Sequence, residues 1–270
     1  MLRMTDVVKN LLIINVLFFI ATYLFDQQRM LNMLALHYPA SDLFRPLQLA
    51  THFFMHGGIG HIFFNMFALV MFGSALETLW GAKRFLYFYF ICAFGAAALH
   101  MGYSWWDFSQ SQALISQFKS TPSYDTFWQF FQQVPLDRLA EGNAAYVNAV
   151  YDLKSALASS TADPQAVGQA AQYMQEYLNF EMNVPVVGAS GAIYGLLLAF
   201  GMMFPNTELM LIFLPIPIKA NYFIPLLMLL ELYLGFNQFS WDPIAHFAHL
   251  GGAVTGFLLI LYWRQFGSRL

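Results

Sequence analysis

The chain has 270 residues, of which 59 % are hydrophobic and only 10 % charged, against about 25 % charged residues in ordinary soluble domains. That balance excludes a plain soluble globule and fits an integral membrane protein. A net charge of −3 gives no support to a nucleic-acid partner, and a single cysteine, Cys92, excludes an intrachain disulfide.

Six apolar runs approach the roughly 20 residues that a membrane span requires: Val7–Phe25, His61–Trp80, Phe85–Trp105, Ser190–Phe204, Tyr222–Phe236 and Ile244–Trp263. The fourth and fifth are short, which buried spans tolerate. No small-residue cleavage site follows the first run, so it reads as a retained helix and not a signal peptide. Lys and Arg placement sets the orientation. With both termini cytoplasmic, the inner segments hold Arg3, Lys9, Lys83, Arg84, Lys219, Arg264 and Arg269. The much longer outer segments hold only Arg29, Arg45, Lys119, Arg138 and Lys154.

The loop 26–60 is too aromatic and apolar for a solvated linker (Phe44, Phe53, Phe54) and is expected to form short helices in the membrane interface. The stretch 106–185 is rich in Gln, Ala, Ser and Tyr. Within it Tyr146, Val150, Leu153 and Leu157 recur at helical spacing, as do Val167, Ala170, Met174, Tyr177 and Leu178. Asp163 before Pro164 reads as an N-cap followed by proline at the first helical position, and Thr121-Pro122 as another helix start. The expectation is a helical cap outside the membrane, inserted between two parts (1–105 and 186–270) of one spanning domain. The stretch shows no ligand cluster and no Gly-rich phosphate loop.

Chemistry concentrates in three places. Ser190, in Gly188-Ala189-Ser190-Gly191, opens the fourth run, where a helix N-terminus offers unpaired N–H groups and a positive dipole end. Such donors suit a developing oxyanion, and Gly188 and Gly191 remove Cβ atoms where a substrate backbone must approach. The bland reading is a packing stretch of small residues. His249 in the sixth run continues into Gly252-xxx-Gly256, matching Gly191-xxx-Gly195. These stripes let the two helices approach until hydroxyl and imidazole are about 3 Å apart, a nucleophile–base pair. Tyr194, one turn after Ser190, is placed to support the imidazole or else packs as an interfacial tyrosine. His246 competes for the base role; the phase of the stripe favours His249.

The third place is His52, His56, His61 and Asn65. His61 and Asn65 share one helix face, and both side chains can donate to an oxyanion. Histidines four apart also suit zinc. No HExxH occurs, however, and the nearest acid, Asp42, lies in the loop, so no metal and no cofactor are expected. Glu77 reads as a structural partner for charges or loop amides. Glu231, in the fifth run, has no assigned partner and is read as structural.

Taken together, His56-Gly57-Gly58, His61-xxx-Asn65, Gly73-xxx-Glu77, Gly188-Ala189-Ser190-Gly191 with Tyr194, and Ala248-His249-xx-Gly252-xxx-Gly256 resemble the rhomboid intramembrane serine proteases. The resemblance implies an all-α bundle of six transmembrane helices and a Ser–His dyad without an aspartate. In it Ser190 is the nucleophile, His249 the general base, and His61, Asn65 and the Ser190 N–H the oxyanion donors, with Tyr194, Gly188 and His56 in support. It further implies a loop 26–60 partly embedded in the outer leaflet and a fifth helix acting as a lateral gate, with Trp241 at its outer end.

The expected activity is cleavage of single-pass transmembrane substrates near the outer boundary of a bacterial inner membrane, after a small residue. The competing expectations are an inactive scaffold that binds transmembrane helices and a transporter. The stretch 106–185 departs from the family's usual short connection. It restricts access, recruits substrates or binds a partner.

Overall fold

A computed structural model describes residues 4–134, 136, 143–161, 163–211, 214–239, 241–242 and 244–266. Arg3, Arg138 and Arg269, counted above for orientation, lie outside the described residues.

The first span, Asp6–Leu24, starts against Glu77, whose carboxylate accepts from the backbone N–H of Val7 (3.1 Å) and Val8 (3.0 Å) and from the Thr5 hydroxyl. Glu77 thus caps orphan amides of another helix and leaves Lys83 and Arg84 aside, one of the two roles its position allowed. The second span is α-helical over Ile59–Ala68 and Ser74–Trp80, joined by a π-helical turn at Leu69–Gly73. At that turn a Cβ on Gly73 would lie 3.0 Å from Cγ2 of Val8, so the Val8 side chain of the first span packs onto bare backbone there.

The helix of the third span does not stop at Trp105. One helix of 39 residues, Ala82–Ser120, carries the chain out of the apolar zone without a break. Thr121 is its C-cap, and the next helix, Tyr124–Gln132, is capped by Ser123, which accepts from the Thr126 N–H at 3.1 Å. The start expected at Thr121-Pro122 is therefore displaced by two residues. Among the described residues the longer helices that follow are Ala144–Ser159 and Pro164–Met182; Asp163 caps the latter by accepting from the Gln165 N–H at 2.9 Å. Val150, Leu153, Leu157, Ala170, Met174, Tyr177 and Leu178 face inward onto Ile115, Phe118, Phe127, Phe130 and Phe131, forming a second hydrophobic core.

The fourth span, Ser190–Met203, has 14 residues, the fifth is Ala220–Asn237 and the sixth His246–Phe266. Between the fourth and fifth lies an antiparallel hairpin, Glu208–Leu211 with Leu214–Lys219, pairing Glu208 with Lys219 and Leu209 with Ile218. It is a small β addition to an otherwise helical bundle. Among the described residues, four helices are long and apolar enough to cross a membrane: Asp6–Leu24, Ile59–Trp80, Ala82–Ser120 and His246–Phe266. The short fourth span is sheltered, with Gly191, Ala192, Ile193, Gly195, Leu196 and Ala199 all buried. Outward-facing Leu17, Phe63, Tyr87, Leu226 and Leu258 are each more than half exposed, an apolar belt that only lipid can satisfy.

In the loop after the first span, Gln27–Leu34 is a helix capped by Asp26. Gln48, fully buried, accepts from the His37 and Arg45 N–H groups and donates to the Asn32 and Leu43 carbonyls, so all its polar capacity is used. Leu36 pairs with Val186 through two backbone bonds (3.0 and 2.8 Å), tying this loop to the segment leading into Ser190.

Candidate active site

Three helices and one loop meet at Ser190. Gly188, two residues earlier, has φ +118°, a conformation L residues rarely adopt. Its N–H donates to the His52 carbonyl at 3.0 Å. A Cβ at Gly188 would fall 2.7 Å from Nε2 of His61, so the histidine ring closes over bare backbone there. Ser190 is the first residue of its helix, and the N–H groups of that first turn have no intrahelical acceptor.

The fourth and sixth spans cross backbone to backbone. A Cβ on Gly252 would lie 1.8 Å from the Gly191 carbonyl oxygen, and one on Gly195 would lie 3.1 Å from the Gly252 carbonyl oxygen and 2.5 Å from Cys92 Sγ of the third span. Only hydrogen fits at these positions. The crossing brings Ser190 Oγ to 2.9 Å from Nε2 of His249, and both flanking glycine stripes take part in it. Tyr194 lies flat beneath the imidazole, with ring centroids 4.1 Å apart and an interplanar angle of 8°. His246, the rival for the base role, is buried one turn away and bonds Glu231 and Asp242 instead.

Glu231 was missed as a site residue. It projects from the fifth span, only 5 % exposed, into the back of the pair. Its Oε2 lies 2.9 Å from Nδ1 of His249 and 2.7 Å from Nδ1 of His246, while its Oε1 accepts from the Tyr194 hydroxyl. Nε2 of His246 stands 2.9 Å from Asp242 Oδ2. The one signal in the sequence was an acid inside an apolar run, which is costly unless partnered.

On the other flank, the Gly57 N–H donates to Nδ1 of His61 at 3.4 Å. That places the imidazole hydrogen on Nε2, which faces the bare backbone at Gly188. His56 packs edge-on against His61, with centroids 5.1 Å apart. Burial, reinforced by the neighbouring His61, lowers the pKa of His56 to about 4, and burial does the same to His52. Both are neutral near pH 7. Asn65 is buried and donates to the His61 carbonyl at 2.8 Å; it makes no direct hydrogen bond to Ser190. Trp241 is exposed and stacks on Phe239.

Among the described residues, Glu231, His246 and His249 are the group whose ligand atoms converge, within 4.8 Å of one another. Their N···O separations of 2.7 and 2.9 Å are hydrogen-bond lengths. Two ligands of one tetrahedral zinc would stand about 3.3 Å apart, given metal–ligand bonds near 2 Å. The cluster is therefore built as a hydrogen-bond network.

No curated protein matches the chain. The family model of the rhomboid domain matches residues 43–107 and 162–266. It takes in Ser190, His249, His52, His56 and His61 and passes over 108–161. With well over half of its length so matched, and with an all-α, multi-pass membrane bundle around the matched residues, the chain belongs to the rhomboid family.

Proposed function

We propose that this rhomboid family member is an active intramembrane serine endopeptidase. The observation that carries the reading is the 2.9 Å contact between Ser190 Oγ and His249 Nε2 on two helices locked together by glycines. Ser190 attacks the scissile carbonyl while Nε2 of His249 takes its proton. The resulting oxyanion is met by Nε2–H of His61, the Ser190 N–H and the remaining amide hydrogen of Asn65. Collapse expels the amine, which takes the proton from His249, and water then cleaves the acyl-serine by the same route in reverse.

Substrates are single-pass helices. A helix hides its carbonyls in i→i−4 bonds, so segments with Gly, Ala, Ser or Pro unwind most cheaply and also fit the tight approach at Gly188. The end of the bundle bearing Lys83, Arg84, Lys219 and Arg264 is cytoplasmic by the positive-inside rule. This puts the catalytic end at the outer face of a bacterial inner membrane, where water reaches it. Ser190→Ala should abolish cleavage of a single-pass reporter in proteoliposomes and abolish labelling by a fluorophosphonate, with melting unchanged. Cleavage by the variant at the wild-type rate would overturn the proposal. An unlabelled, inactive wild type would leave a helix-binding scaffold.

A further inference from the structure

We infer that Glu231 is a positioning residue for His249, so that the hydrolytic apparatus of this chain is a Ser190–His249–Glu231 relay rather than a bare dyad. The inference rests on the proposed peptidase reading and deepens it.

For His249 to act as base, the lone pair of Nε2 must face Ser190, and its one hydrogen must sit on Nδ1. A neutral imidazole in a nonpolar surrounding has no strong preference between its two tautomers. An ionised carboxylate only accepts hydrogen bonds. Glu231 Oε2, at 2.9 Å from Nδ1, therefore selects the productive tautomer. It also fixes the ring's rotation, with Tyr194 flat against one face. When His249 takes the serine proton, the new positive charge faces a carboxylate that is already in place, so no reorganisation is needed. An unpaired carboxylate this deeply buried would be costly. Here three hydrogen-bond partners converge on it: His249, His246 and the Tyr194 hydroxyl.

Glu231 is itself held in position. His246 bridges it to Asp242, with 2.7 Å to Glu231 on one ring nitrogen and 2.9 Å to Asp242 on the other. The helix bearing Glu231 abuts the helix bearing both histidines at Gly235, where a Cβ would lie 3.1 Å from Cβ of His246. The same helix contact with an apolar residue at 231 would leave Nδ1 of both histidines and the Tyr194 hydroxyl without this hydrogen-bond partner.

The test is Glu231→Gln in the full chain, reconstituted in liposomes with a single-pass reporter, alongside Ser190→Ala. The expected result is a fall in kcat of ten-fold or more, with KM within threefold of wild type and melting preserved, while Ser190→Ala is inactive. A fall in kcat of less than ten-fold, or a change confined to KM, with Ser190→Ala inactive, overturns the role of Glu231 and leaves the peptidase reading standing. Activity in Ser190→Ala overturns both. Should Glu231→Gln not fold, histidine ¹⁵N spectra of the wild-type protein decide the matter. A hydrogen on Nδ1 of His249 supports the relay, and a hydrogen on Nε2 overturns it.

Discussion

The two cores of this molecule are packed by opposite means. In the bundle, the fourth and sixth spans meet at Gly191, Gly195, Gly252 and Gly256, with backbone against backbone and buried polar groups alongside. In the inserted helices the filling is aromatic: Phe118, Phe127, Phe130, Phe131 and Tyr177 touch at tilted and edge-to-face angles, and no histidine occurs anywhere in 106–185. The difference follows from the solvent. In water, large rings drive folding by leaving it. In lipid the surroundings are as apolar as the side chains, so close van der Waals approach and interhelical hydrogen bonds do that work. The same close approach is what brings a hydroxyl to an imidazole.

Three perturbations would break or sharpen this contrast. The largest effect on the site is expected from Gly252→Ala. Its Cβ would lie 1.8 Å from a backbone oxygen that no rotamer change can move. The helices must separate, and a displacement near 1 Å costs about a hundred-fold in rate, read as fluorophosphonate labelling of Ser190. Wild-type labelling would mean that the crossing does not set the geometry.

Phe130→Ala comes next. Phe130 is 1 % exposed, and its loss should destabilise the aromatic core by about 3–5 kcal/mol, seen as lost hydrogen-exchange protection over the helices 124–182. Labelling of Ser190 should stay within twofold; a larger loss would show that the two cores depend on each other.

The smallest effect is one of pH. His52 and His56 stay neutral in the fold down to about pH 4, whereas in the unfolded chain they gain a proton below about 6.5. Between those values the unfolded chain binds more protons, so their contribution to stability is whole above pH 6.5 and declines as pH falls toward 4. Exchange protection corrected for intrinsic rates should fall near these histidines and not in the histidine-free helices. Equal loss in both would remove the assignment.

Much of the pattern was legible before any coordinates. The phase of the glycine stripes pointed to His249 over His246, because a helix repeat can be read directly from spacing. The caps at Asp163 and the inward face from Val150 to Leu157 were readable for the same reason. Glu231 was not, because its meaning depends on which face of the fifth span meets the sixth, and periodicity within one helix carries no information about its neighbour. The third apolar run ends at Trp105 while its helix runs on to Ser120, because hydropathy marks where lipid stops, not where hydrogen-bonded turns stop. Residues such as Gln110, Gln112 and Ala113 favour helix as well as the apolar residues before them.

That uninterrupted rod has a mechanical consequence. At 1.5 Å per residue, 39 residues extend about 58 Å, nearly twice the roughly 30 Å of a hydrocarbon core. A partner that grips its distal turns would hold a lever whose near end includes Ala96. The β-carbon of Ala96 is what a side chain on Gly191 would strike. Torque applied to the distal turns would therefore arrive one residue from Ser190.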